Sequence, residues 1–195
     1  MAAKLSRRHL FRLKPRDVAQ LVRESEKKGG HEEHPVYFRP PGAVKSEREF
    51  LSACERCGKC VEACPHDVIE QLSVAAGEAE GSPVLNPAES PCRWCPTMDC
   101  IEACPTSALS FGRDREVAPI GKAVINLETC LTSHGTICDT CAQHCPGDVR
   151  AIRMINRVPE LDSDRCVGCG LCAYYCESHP GSIRILHGDG TATAS

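Results

Sequence analysis

Sixteen of the 195 residues are cysteine, and they fall into four groups of four with none left over. "CERCGKCVEACP" supplies Cys54, Cys57, Cys60 and Cys64, and "CRWCPTMDCIEACP" supplies Cys92, Cys95, Cys100 and Cys104. "CLTSHGTICDTCAQHCP" carries Cys130, Cys138, Cys141 and Cys145, and "CVGCGLCAYYCE" carries Cys166, Cys169, Cys172 and Cys176. The first and fourth groups have C-x2-C-x2-C-x3-C spacing. The second stretches one interval to x4 and the third stretches another to x7; the first three end in Cys-Pro.

Thiolates two residues apart let a short loop wrap one corner of an iron–sulfur cube, one sulfur per iron. The fourth cysteine, three residues on, points away and in two-cluster proteins ligates the other cube. Gly58, Gly168 and Gly170 suit a backbone that must approach closely or adopt positive φ. Pro65, Pro105 and Pro146 stop a helix from continuing. Structural zinc uses two separated cysteine pairs rather than four cysteines in one short run. Disulfides need an oxidising compartment and gain little from loops this tight. A radical-generating cluster site uses three cysteines at another spacing. The residues therefore predict four [4Fe–4S] clusters held by the sixteen cysteines.

Composition agrees that clusters must do much of the stapling. Aromatics make up 4% of the chain, with one tryptophan, so a large aromatic core is excluded. No apolar run reaches the length of a membrane span. Between the groups the chain repeats a unit of strand, turn and strand, read as short hairpins: "SALSF" with "AVINLE", "AIRMI" with "VPELD", and then "SIRIL". In "AVINLE", Ile125 and Leu127 alternate with Asn126 and Glu128; in the last, Ile183 and Ile185 flank Arg184. The expectation is an α+β fold of tandem or nested bacterial-type ferredoxin units, small and low in regular secondary structure. It assigns 1–49 to a basic arm and linker, 50–187 to the four-motif region and 188–195 to a disordered tail. "SVAAGEAEGSP" (73–83) reads as a flexible loop.

Residues 1–16 hold six basic side chains, Arg7 and Arg8 among them, and no acid, on an otherwise acidic chain. "SRRHLF" invites comparison with a twin-arginine export signal. Charged residues interrupt every apolar run that follows, so no export signal is expected and the expected compartment is the cytoplasm. Residues 17–28 read instead as a short amphipathic helix with Val18, Leu21 and Val22 on one stripe. The arm suits docking to a partner or peripheral contact with a membrane surface; no nucleic-acid module accompanies it. "HEEH" (31–34) lacks the H-E-x-x-H spacing of a zinc protease and reads as a solvated loop before "PVYFRPPG". His66, His134, His144 and His179 lie near cysteine loops, where they are ordinary surface histidines or sulfur hydrogen-bond donors. Trp94, Tyr174 and Tyr175 read as shields. No substrate site is seen, so the chain is not read as an enzyme.

The order and spacing of the four motifs resemble the ferredoxin-type proteins of the NapF, NapG and MauM families, over roughly residues 50–187. The "SRR" start is similar to the NapF type, and "PCRWCPTMDCIEACP" and "GKAVINLETCL" to NapG and MauM. The resemblance implies electron transfer in a periplasmic nitrate reductase or methylamine system, with a redox partner such as a reductase subunit or its precursor. It also leaves room for an accessory role in reductase maturation, or for a subunit of a membrane-associated oxidoreductase. Similar four-motif proteins are often nested. That pairing would put Cys54, Cys57 and Cys60 with Cys176, and Cys166, Cys169 and Cys172 with Cys64. The inner pair would be Cys92, Cys95 and Cys100 with Cys145, and Cys130, Cys138 and Cys141 with Cys104. Consecutive pairing is the rival.

Overall fold

The computed structural model describes residues 37–178 and 181–187. The arm with Arg7 and Arg8, the expected helix over 17–28, the 31–34 histidines, His179 and the expected tail from 188 lie outside these residues.

One plan is used twice. In the first half, helix α1 (Glu47–Ala53) leads into the first motif, whose second part forms the single turn α2 (Lys59–Glu62). Strands β1 (Ile69–Gln71) and β2 (Pro83–Leu85) follow, and the second motif forms α3 (Asp99–Glu102). The second half has β3 (Lys122–Ile125), α4 (Thr140–Gln143) in the third motif, β4 (Ile152–Ile155) and β5 (Val158–Leu161). It ends with α5 (Leu171–Tyr174) in the fourth motif and β6 (Ile183–Leu186). Within each half an antiparallel pair lies between the two motifs, β1 with β2 and β4 with β5. A second pairing joins the segments outside the motifs: β3 with β6, and in the first half the Ala43–Leu109 bridge. Among the described residues no helix is long and apolar enough to cross a membrane.

Local sequence explains these elements. Ser46 caps α1, its hydroxyl accepting from the Glu49 N–H at 3.4 Å, and Phe50 beneath it is fully buried. The β4–β5 hairpin closes through Asn156 and Arg157, both at positive φ, the backbone a two-residue hairpin turn demands. The motif helices α2, α3 and α4 stop after one turn, with proline following Cys64, Cys104 and Cys145. Eight of the buried side chains are cysteines, so the core and the cysteine sets are one structure.

Three expectations change. "AVINLE" does not pair with "SALSF"; it pairs with "SIRIL" at the far end of its own half. The alternation in "AVINLE" also stops early, since β3 ends at Ile125 and Leu127 is exposed. Residues 73–83, expected as a flexible surface loop, lie mostly at the surface but hold local structure. They contain a 3-10 turn (Val74–Ala79), and Ser82 is fully buried. Arg56 pins that turn by donating to the Glu78 and Glu80 carbonyls at 2.9 and 3.0 Å. Finally, packing begins before residue 50: Phe38 bridges to Leu85, and Pro40 and Pro41 are fully buried. Proline carries no N–H to satisfy, so "RPPG" enters a core at little polar cost.

Candidate metal centres

The sixteen cysteines converge into four sets, each taking three from one motif and one from the other motif of the same half. Cys54, Cys57, Cys60 and Cys104 line a hollow of about 390 Å³. Cys64, Cys92, Cys95 and Cys100 line one of about 350 Å³, with His66 beside it. Cys130, Cys138, Cys141 and Cys176 line a third of about 370 Å³. Cys145 remains with Cys166, Cys169 and Cys172; it lies near enough to raise the Cys169 thiol electrostatically, and both Cys141 and Cys145 raise that of Cys172.

This grouping is that of consecutive pairing, the rival of the nested one that the resemblance implies. Cys64 sits with Cys92, Cys95 and Cys100 rather than with Cys166, Cys169 and Cys172. Cys176 completes the set of Cys130 rather than that of Cys54. The reason is topological. One hairpin joins the two motifs of each half, so α2 packs on α3 and α4 on α5.

Positive-φ residues aim the loops. Gly58 (φ 75°) and Gly170 (φ 91°) precede α2 and α5, giving the cysteine loop its reversal. In the stretched second motif Met98 takes the same place at φ 51°, although it carries a side chain, and Trp94 also lies at φ 51°. Both are buried, which holds them in a conformation that costs a non-glycine residue energy. The seven-residue interval of the third motif folds as a 3-10 turn (Leu131–His134) closed by Gly135 at φ 82°. Its His134 Nε2 lies 2.9 Å from the Glu128 carbonyl.

The sulfurs have hydrogen-bond partners of two kinds. Backbone N–H groups of Trp94, Ala123 and Ala151 donate to Cys92, Cys166 and Cys145 at 3.4, 3.3 and 3.2 Å. Hydroxyls are added in the other two sets, whose sulfurs also have backbone partners. Thr106, Thr132, Thr140 and Ser178 lie 3.7, 3.2, 3.7 and 3.0 Å from Cys104, Cys130, Cys138 and Cys176. Each hydroxyl sits two residues after its cysteine, a C-x-[ST] pattern legible in the sequence and missed there. The histidines do not fill this role where their ring partners are defined. His144 Nδ1 lies 2.9 Å from the Thr140 carbonyl, and its ring stacks on Tyr175 at 3.8 Å. Tyr175 accepts a hydrogen bond from Arg93, while Tyr174 is exposed.

Burial dominates the thiols' acidity. It pushes Cys60 up to about 11, with Cys104 and Cys54 adding, and Cys100 up to about 12, with Cys64 adding. Burial likewise takes Cys92 to about 12 and Cys141 and Cys169 to about 11, and pushes Cys172 up. At Cys176 burial also raises the thiol, but hydrogen bonds from the Ser178 hydroxyl and neighbouring backbone bring it below its ordinary value. Buried thiols without cations hold their protons, so loading metal must displace them and is opposed by acid. Among the described residues no group of Cys, His, Asp and Glu closes tightly enough to hold a single metal ion. Four sulfurs around a hollow suit a cage of several irons.

The 4Fe-4S binding domain family matches residues 50–70 and 159–179, which span the two motifs of regular spacing. The methylamine utilization ferredoxin-type protein MauM of Methylobacillus flagellatus is 39% identical over 159 residues, covering 76% of this chain and 68% of that protein. The ferredoxin-type protein NapG of Escherichia coli is 36% identical over 168 residues, covering 77% and 71%. This chain belongs to the MauM, NapG and NapF family of ferredoxin-type proteins. Within the family, NapF of Escherichia coli is 30% identical over 156 residues, covering 77% of this chain and 86% of NapF.

Proposed function

We propose that this ferredoxin-type protein holds four [4Fe–4S] clusters and moves single electrons between redox proteins. The observation that carries this reading is the convergence of all sixteen cysteines into four sets of four, each crossed between the two motifs of one half. Each cluster, when bound, supplies a one-electron couple whose potential follows burial and hydrogen bonds to sulfur. The chain's residues supply the thiolates, exclude water and place the donors. No substrate pocket is part of this reading. The acidic body suits a redox partner with a basic face, an association that salt weakens.

Anaerobic purification with iron and sulfide counts, followed by a redox titration monitored by EPR, tests it. About sixteen irons per chain that survive repeated reduction fit a carrier. Iron that passes readily to a chelator or to an apo-enzyme would instead give the protein an accessory role in maturing another enzyme.

The hydroxyl donors give a sharper expectation. In this structure the Cys138 thiol donates to the Thr140 hydroxyl at 3.7 Å, and either group can donate between Cys130 and Thr132. An iron-bound thiolate can only accept, so with a cluster in place both hydroxyls would have to donate. A donor stabilises the more negative, reduced state, so removing it lowers the potential. Replacing Thr132 and Thr140 by valine is expected to move one of four titrating signals to lower potential at unchanged iron content. Four unmoved signals would show that these hydroxyls do not tune the site.

A further inference from the structure

We infer that a glycine junction formed by Gly121, Gly168 and Gly170 presses the two buried cysteine sets together, so that the four sets lie in one line with the more exposed sets at its ends. The inference rests on the cluster-binding reading above and deepens it.

The contact is made by backbone. The Cys92 N–H donates to the Cys169 carbonyl at 2.9 Å, joining a ligand of the Cys64 set to one of the Cys145 set. In the same loop the Val167 carbonyl accepts from Ile120 at 2.9 Å and from Gly121 at 3.4 Å. These bonds tie the fourth motif to the second motif and to the segment joining the halves.

Glycine is required for so close an approach. A Cβ on Gly170 would meet the Pro87 carbonyl oxygen at 2.1 Å, and one on Gly168 would meet the Gly121 carbonyl carbon at 2.3 Å. A Cβ on Gly121 would meet the Leu186 carbonyl oxygen at 2.4 Å, a contact within the second half that seats the start of β3 on β6 beneath Gly168. These neighbours are backbone atoms, which cannot swing away as a side chain would. Gly58 is the internal comparison. It holds the same place in the first motif with a similar φ, yet its Cβ would meet only the Gln71 side chain, at 3.6 Å. Glycine at 58 answers to backbone conformation alone; at 170 it answers to conformation and to the junction.

Burial follows the same order. Cys64, Cys92 and Cys100 are buried in one joined set, and Cys166, Cys169 and Cys172 in the other. In the set of Cys54 only Cys60 is buried and Cys57 is exposed; in the set of Cys130 only Cys141 is buried. The sequence of sets is therefore that of Cys54, that of Cys64, that of Cys145 and that of Cys130. The motif order along the chain does not show this, because the fourth motif, not the third, meets the first half.

The test compares Gly170→Ala with Gly58→Ala in the anaerobically purified full chain. Three quantities are read: iron content, exchange of the Cys92 amide by hydrogen–deuterium mass spectrometry, and spin–spin interaction in the EPR of the reduced protein. Gly170→Ala is expected to retain iron, to speed Cys92 exchange about tenfold and to lose the interaction between the halves. Gly58→Ala is expected to change neither of the last two. Slow Cys92 exchange and unchanged interaction in Gly170→Ala would overturn the inference. Should that variant fail to fold, a second one with Cys54, Cys57, Cys130 and Cys138 replaced by serine keeps only the joined sets. Two interacting clusters there support the junction, and two isolated signals overturn it. A wild-type chain without clusters would overturn the functional reading, while Cys92 exchange in Gly170→Ala would still judge the junction.

Discussion

Replacing Cys64 and Cys92 together by serine is expected to remove about four of sixteen irons, no more than either replacement alone. Replacing Cys64 and Cys166 together is expected to remove about eight. The argument is a double-mutant cycle. Substitutions in one set destroy the same site and are non-additive, whereas substitutions in separate sets add. Cys64 shares its hollow with Cys92, Cys95 and Cys100, and Cys166 belongs with Cys145, Cys169 and Cys172. Nested pairing would reverse the two results, placing Cys64 with Cys166. The mirror pair behaves alike: Cys104 with Cys54 is expected to count once, and Cys104 with Cys130 twice. Iron analysis on four double variants and their singles is sufficient. Loss of about eight irons from Cys64 with Cys92 would sink the consecutive assignment.

The four cysteine groups were legible in the sequence because their spacing is printed in the chain. Their pairing was not. Motif spacing is local, while pairing depends on which helix turn meets which, and here that was set by the hairpins Ile69–Leu85 and Ile152–Leu161. Strand positions were readable from alternation, as at Ile183, Arg184 and Ile185, of which Ile183 is buried and Arg184 exposed. Strand partners were not, and "AVINLE" crosses more than fifty residues to reach "SIRIL". Met98 shows a further limit. Glycine at 58 and 170 announced positive φ, but methionine in the equivalent place gave no such signal, because the burial that holds it there comes from tertiary packing. The hydroxyls two residues after Cys104, Cys130, Cys138 and Cys176 were visible as residues, yet only the folded loop turns them toward sulfur.

The second large effect lies at Arg39, in a stretch whose neighbours read as linker. Its guanidinium is buried, 7% exposed, and pairs through both ends with the Glu47 carboxylate. The same group donates to the Ser82 hydroxyl at 3.0 Å and to the Pro83 carbonyl at 2.6 Å. It also lies over the rings of Phe50 and Tyr37, at 4.6 and 5.1 Å. Arg39 thus ties α1, which delivers Cys54, to β2, whose partner strand follows Cys64. Arg39→Ala leaves the Ser82 hydroxyl and the Pro83 carbonyl short of a buried donor and uncouples Glu47. Glu47 is 26% exposed and regains some water, so the cost is set at the low end for a broken buried pair, about 3 kcal/mol. Arg39→Lys keeps the charge but loses the planar fork and the stacking, and is expected to cost about half as much. Unfolding that releases clusters is irreversible, so the measurement is a rate: bleaching of the visible absorbance in anaerobic guanidinium. Bleaching up to about a hundredfold faster is expected for Arg39→Ala, with Arg39→Lys between it and wild type. Equal rates for all three would mean that the pairing with Glu47, the two buried acceptors and the stacked rings add nothing to the stability of the first half.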